Sequence, residues 1–425
     1  MSKIVIHDLG PINNCEMDIE QFTVLTGAQA SGKSTIAKAV FFCRTVKDDI
    51  YDIITRRMLL GVGSTLFSDV IKVLRNKFLQ LFGTSKAMKP DMKLMYYYDR
   101  DTYICVSLRM QEGIDFLSPN YVWIDFSGDI LTFLKSFSFD DIGQEELKAQ
   151  INNLFHDDYN AVFIPAGRSL ITLLTSQLNY LFATMDDEQK RSIDFCTQKY
   201  IERILKIRPL FGDGFEGLIT QKTNTPGVKL DYKTMQKMLD LVSEVLKGKY
   251  VFRDSEERLY IDEEHFVKIN YTSSGQQETV WIFNILMHLL VNNMKAFIIL
   301  EEPEAHLYPE AQKCIVEMLA LMTNKFCSIM ITTHSPYILG ALNNLIYAEK
   351  LFQHKKFREK VKEEVAPLFY VKDCNAYFLE KGGIQSCVEP EAEGGLIINE
   401  VIDGASSDIN LLYDRLFDIE YGQEE

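Results

Sequence analysis

Polar and apolar residues alternate along residues 4–9, and a short apolar run occupies 22–25, which predicts two strands joined by a polar connection around Gly10-Pro11-Ile12-Asn13-Asn14. The second run leads straight into GAQASGKST. Residues 36–82 are dominated by helix formers with a break predicted at 61–63, and 93–98, 103–109 and 121–126 alternate as strands do. A short apolar strand at 161–164 ends in Pro165-Ala166-Gly167-Arg168. Helical periodicity then covers 169 to about 210 and 232–246.

The last third alternates the two element types: strands at 249–252 and 258–261, a helix after Gly275, a strand at 296–300, a helix from Pro309 and a strand at 328–332. Strands separated by helices imply a mainly parallel sheet covered on both faces. No heptad register persists along the middle of the chain, so no long coiled-coil arm is expected. The expected organisation is an α/β head with an N-terminal antiparallel β region (1–168), a helical insertion (169–247), the second part of the head (248–345) and a C-terminal segment packed on it (346–425).

Composition adds constraints rather than elements. The 47% hydrophobic and 25% charged residues are those of an ordinary globular chain, so an ordered protein with a sizeable core is expected. No apolar run is long enough for a membrane span and the first residues do not form a signal peptide, which predicts a cytoplasmic protein. The eight cysteines contain no C-x-x-C pair and sit in apolar company, as buried free thiols do. A net charge of −15 disfavours broad coating of nucleic acid, which depends on cations meeting phosphates. A local basic strip around Arg56, Arg57, Lys72, Arg75 and Lys77 remains open, against the commoner case of a solvated helix face.

Candidate chemistry begins at Gly27-Ala28-Gln29-Ala30-Ser31-Gly32-Lys33-Ser34-Thr35, which matches G-x-x-x-x-G-K-[ST]. Glycines allow successive N–H groups to face phosphate oxygens, and the helix that follows adds its positive end. Lys33 is the expected partner of the β- and γ-phosphates, and the Ser34 hydroxyl a magnesium ligand. Because the motif follows an apolar strand and opens a helix, nucleotide binding is the expected function.

Two further strand ends carry polar groups. The strand at 296–300 delivers Glu301 and Glu302, suited to magnesium (Glu301, directly or through water) and to activation of a water (Glu302), although two carboxylates at a strand end also fit a solvated terminus. The strand at 328–332 delivers His334, able to donate to a γ-phosphate. Between them in function stands Thr272-Ser273-Ser274-Gly275-Gln276-Gln277-Glu278, at a helix start: either a cap, with Glu278 in a capping-box-like arrangement, or an anion site.

In this order the motifs resemble the ABC ATPase superfamily, and more closely its soluble RecF/SMC/OLD-like branch: GAQASGKST the Walker A loop, TSSGQQE the signature, FIILEEPEAHLYP the Walker B strand with its D-loop, and ITTHSP the switch histidine. The resemblance implies an ATPase head that uses ATP and Mg2+, in which two heads sandwich two nucleotides as a homodimer, with higher oligomers possible. Ser273, Ser274, Gly275 and Gln276 would then act on the partner's nucleotide, with Glu304, Ala305, His306 and Leu307 at the seam. Glu301 replaces the usual aspartate, and no Q-loop glutamine is evident; Arg168 stands in its place as a candidate nucleotide contact, or equally as a structural ion pair.

A transporter subunit fits poorly, and a ring-type motor more poorly, since most of the chain separates Lys33 from Glu301. Two classes remain: a regulator in a prokaryotic anti-phage system that controls a separate effector nuclease, and a RecF/SMC-like DNA-repair ATPase. The absence of coiled coils and the acidic balance favour the first. Glu380-Lys381-Gly382 imitates the start of a TOPRIM nuclease, but no D-x-D follows, so a fused nuclease is not expected. Residues 402–416 resemble the tails of PARIS-type ATPase components.

Overall fold

The computed structural model describes residues 2–60, 65–109, 121–138, 142–173, 193–224, 230–390 and 395–398, with isolated positions between 174 and 192. Its strands are β1 (Ser2–Leu9), β2 (Ile12–Ile19), β3 (Phe22–Gly27), β4 (Lys93–Tyr97), β5 (Tyr103–Arg109), β6 (Tyr121–Phe126), β7 (Asn160–Ile164), β8 (Lys249–Arg253), β9 (Glu256–Tyr260), β10 (Phe266–Lys268), β11 (Ala296–Glu301), β12 (Cys327–Thr332), β13 (Cys374–Glu380) and β14 (Gly383–Ser386). The helices are α1 (Lys33–Arg44), α2 (Val46–Leu60), α3 (Leu66–Phe82), α4 (Gly128–Ser136), α5 (Gln144–Leu154), α6 (Arg168–Leu173), α7 (Phe195–Ile207), α8 (Gly214–Thr223), α9 (Tyr232–Leu246), α10 (Ser274–Val291), α11 (Pro309–Thr323), α12 (Pro336–Gln353) and α13 (Arg358–Glu364).

The central sheet has six strands in the order β14-β13-β3-β12-β11-β7, parallel throughout except for the β13–β14 hairpin. Its strands are near-continuous apolar runs because both faces are covered, as parallel sheets require. The period of two assigns their side chains: Ile298, Leu300, Ile329 and Ile331 enter one core with α7 to α12, while Phe297, Ile299 and Met330 enter the other with α1 to α5 and the antiparallel sheet β2-β1-β4-β5-β6. The mixed α/β class, with a mainly parallel sheet and an N-terminal antiparallel one, is the class expected. Among the described residues no helix is long and apolar enough to cross a membrane.

Two local expectations are corrected. The connection at 10–14 is a tight turn followed by strand β2, whose Ile12, Cys15, Met17 and Ile19 are buried against β1. Its Asn- and acid-rich outer face hid that alternation. The segment after residue 345 is not simply laid on the head: α12 runs through that boundary, and β13 pairs with the P-loop strand β3 from Cys374↔Phe22 to Leu379↔Gly27. Helix α8 lies between the two helical stretches read at 169–210 and 232–246, inside the insertion expected to be helical. Glu380-Lys381-Gly382 is the hairpin turn into β14, with Lys381 and Gly382 at positive φ, which explains the glycine without any nuclease chemistry. The break at 61–63 and the tail at 402–416 lie outside the described residues.

Candidate nucleotide site at the sheet's carboxyl end

Strand β3 is buried along its whole length and ends at Gly27, where φ is 131°. A side chain there would collide with the Leu379 carbonyl of β13, so only glycine lets the chain turn at this point. Ala28, Gln29 and Ala30 face outward, and α1 begins at Lys33 behind a left-handed Gly32. The Lys33 ammonium is buried and donates to the carbonyls of Gly27 (3.0 Å) and Ala28 (2.7 Å) and to Ser31 Oγ (3.4 Å). Burial pulls its pKa down, and the carboxylates of Glu302 and Glu304 oppose that. Ser34 is exposed at the helix start. Beside Ser34 and Thr35 opens a cavity of about 360 Å³, walled by Leu9, Gly10, Phe82 and Met88, a size in the range of ligand pockets.

The register of the sheet brings the acidic groups to the same edge. Glu301 pairs with Thr332, and Thr332 with Leu25, so the end of β11 lies two strands, or about 10 Å, from the root of the P-loop. Glu301 is buried; its Oε2 accepts from the Ala166 N–H at 3.3 Å, while Oε1 is buried without a hydrogen-bond partner. Glu302 follows with φ 44°, its N–H donating to the Thr332 carbonyl at 2.9 Å. Its half-exposed carboxylate lies 3.9 Å from Nε2 of His334, at the end of β12.

Glu304 was expected at the seam, yet its carboxylate turns inward, where Oε1 accepts from the Thr333 hydroxyl (2.8 Å) and the His334 N–H (2.7 Å). Its Oε2 is buried without a partner. Burial raises its pKa, with Glu302 adding to the effect and those hydrogen bonds opposing it. Glu304 therefore positions the histidine turn, a role no sequence signal distinguished from the D-loop pattern.

Among the described residues no three His, Cys, Asp or Glu side chains are placed to hold a metal by themselves. Magnesium bound with a nucleotide does not need such a cage, since one or two protein oxygens join phosphate and water oxygens. The orphaned Glu301 Oε1 and the exposed Ser34 hydroxyl fit that role.

The signature segment starts α10. Ser273 caps it, and the capping box closes with Gln276, not Glu278: Ser273 Oγ accepts from the Gln276 N–H at 3.4 Å and Gln276 Oε1 accepts from the Ser273 N–H at 3.0 Å. Gln276 also donates to the Leu246 carbonyl at 2.7 Å, so the polar groups of Ser273 and Gln276 are engaged within their own chain, while both Ser273 and Ser274 are exposed. Gly275 sits under the D-loop, where a side chain would press on the His306 carbonyl. Tyr271, Tyr308 and Tyr337 are 76%, 74% and 57% exposed and lie beside the signature, the D-loop and the switch histidine respectively. Exposed aromatic residues of this kind are enriched where proteins meet partners.

Geometry bears on two alternatives that the sequence leaves open. Arg168 is fully enclosed, with its guanidinium bonded to carbonyl oxygens and to Glu278, so it is an internal brace and not a nucleotide contact. Three of the five cations of the basic strip are engaged within the fold, Arg57 with Asp69 (2.6 Å), Lys77 with Asp49 (2.6 Å) and Arg75 with the Tyr121 ring and the Val122 carbonyl, while Arg56 and Lys72 are exposed.

Residues 215–339 match the family model of the AAA ATPase domain. That match bears out the P-loop ATPase resemblance, with the signature segment, both glutamates and His334 inside it. No curated protein matches the chain. Solved structures similar to it include an Smc head bound to the C-terminal winged-helix domain of ScpA (12% identity, 92% of this chain and 98% of that one, TM-score 0.44). Others are an Smc head with an extended coiled coil bound to the C-terminal domain of ScpA, from Pyrococcus furiosus (12%, 92% and 98%, 0.39), and the SMC head domain of Thermotoga maritima (11%, 90% and 97%, 0.36).

Proposed function

We propose that the chain is a magnesium-dependent ATPase that acts as a switch, with two copies sandwiching two nucleotides. The observation that carries this reading is the convergence of Lys33, Glu301, Glu302 and His334 on one edge of the parallel sheet, by strand register alone. In this reading the nucleoside enters the cavity beside Ser34 and Thr35, Lys33 leaves its carbonyl partners for the β- and γ-phosphates, and Glu301 with Ser34 holds the ion. An ion held by these two oxygens would supply charge neutralisation at the phosphates. Glu302 orients or deprotonates the attacking water, and His334 donates to the γ-phosphate. Exposed Ser274 addresses the partner's nucleotide, with Tyr271, Tyr308 and Tyr337 around the seam.

The output proposed is control of a second protein, as in an anti-phage regulator with a separate nuclease effector. Engagement of three basic-strip cations by Asp49, Asp69 and Tyr121 supports this over a DNA-gripping repair ATPase. The test is ATP turnover with and without linear duplex DNA at several salt concentrations, beside a pull-down of the neighbouring gene product in ATP and in ADP. Nucleotide-dependent association without DNA stimulation is expected. Strong DNA stimulation that falls steeply with salt, and no protein partner, overturns the regulator reading in favour of repair.

A further inference from the structure

Arg168 and Glu278 are both fully buried and join three pieces of chain that the chemistry keeps apart. Glu278 lies one turn beyond Ser274 on α10. Its two carboxylate oxygens accept from the backbone N–H groups of Arg168 (3.1 Å) and Ser169 (2.8 Å), which fixes the turn from β7 into α6. The Arg168 guanidinium reaches the other way, to the carbonyls of Pro165 (2.7 Å), Glu301 (2.7 Å) and Glu302 (3.0 Å), while its Nε holds the Glu278 carbonyl (3.0 Å). Thr172 adds a bond from α6 to the Gln277 carbonyl at 2.8 Å.

The placement has a mechanical meaning. The start of α10 faces a partner's nucleotide, whereas Glu301 and Glu302 face the chain's own. The left-handed backbone of Glu302 is held on one side by Thr332 and on the other by Arg168. A shift of α10 displaces Glu278, and a charge pair enclosed on all sides cannot stretch without leaving a buried charge unpaired. The shift is therefore passed to the Glu302 carbonyl.

We propose that the Arg168–Glu278 pair is the positioning link through which engagement of the signature helix by the partner's nucleotide sets the orientation of Glu302 in the chain's own site, so that the two composite sites hydrolyse cooperatively. The proposal rests on the ATP-sandwich reading above.

The experiment measures turnover against ATP concentration, ATP affinity with a fluorescent analogue, and thermal melting, for wild type, Glu278→Gln and Arg168→Lys. The first variant keeps shape and one acceptor without the charge; the second keeps the charge without the fork that spans the three carbonyls. Wild type should be cooperative. Both folded variants should keep their affinity for ATP, lose kcat by about 2- to 30-fold, as for couplings of this kind, and lose the cooperativity. Folded variants with wild-type cooperativity overturn the proposal, and so does activity lost only in step with folded protein. Wild-type turnover without cooperativity overturns this link alone. No turnover by wild type removes the ATPase reading beneath it.

Discussion

Replacing Glu302 separates chemistry from structure in a way few positions allow. Its backbone sits at φ 44°, a conformation that costs a residue with a side chain about 1–2 kcal/mol, and it is held there by bonds to the Thr332 carbonyl and from Arg168. The carboxylate itself is half exposed, 3.9 Å from His334, so removing its charge leaves no buried group orphaned. Glu302→Gln should leave stability within about 0.5 kcal/mol. Glu302→Gly removes the left-handed penalty but adds unfolded-state entropy of about 0.5–1 kcal/mol, so it should be neutral to about 1.5 kcal/mol more stable. Both remove the group proposed to activate water, a contribution of about 10²–10⁴-fold in kcat, or roughly 3–5 kcal/mol of barrier. Phosphate release, binding of a fluorescent ATP analogue and thermal melting together test this. Wild-type turnover in either variant refutes the assignment of Glu302; loss of ATP binding in both refutes the separation of chemistry from binding.

Lys33→Ala should weaken ATP binding by about 10²–10⁴-fold, because two charge-assisted bonds of roughly 1.5–3 kcal/mol each are lost, and calorimetric titration reads it directly. Mixing Lys33→Ala with Ser274→Arg subunits, each inactive alone, should restore turnover through one intact composite site; mixtures proven to contain heterodimers yet inactive argue against a shared site. Asp48 provides a pH test: burial raises its pKa from 3.8 to about 6, with Asp49 adding and Lys47 opposing, so between those values the folded chain binds the extra proton and stability falls as pH rises. Asp48→Asn should therefore be more stable than wild type above pH 6, by roughly 1–3 kcal/mol, and the gain should vanish near pH 4 in chemical denaturation.

The parts of the fold legible in the sequence were those where a single face or a single period dominated. Helix α9 and the central strands β7, β11 and β12 stood out because their apolar runs have no competing pattern. Strand β2 did not, since Asn13, Asn14, Glu16 and Asp18 on its open face outweigh four buried residues. The motif residues were legible by type and order, but their convergence depends on a register no local pattern encodes. Arg168 fits a nucleotide contact and a structural ion pair equally well in sequence, and only its complete burial separates the two. Glu278 shows the converse: spacing suggested a cap, whereas the pocket that receives it comes from residues more than a hundred positions upstream.

The pairing of β13 with β3 bears on how the protein is made. The strand that presents the P-loop lacks both neighbours until β12 is made, about 300 residues after Gly27, and lacks its β13 neighbour until Leu379, about 350 residues after Gly27, has left the ribosome. At about 5–20 residues per second, that interval lasts tens of seconds. During it Gly27 has no wall to turn against, and the outer edge of β3 is open to pairing with other chains. A nascent chain therefore cannot complete the turn at Gly27 before β13 has been synthesised, so the loop at 27–35 closes only after the segment at 272–278, both glutamates and His334 have already been made.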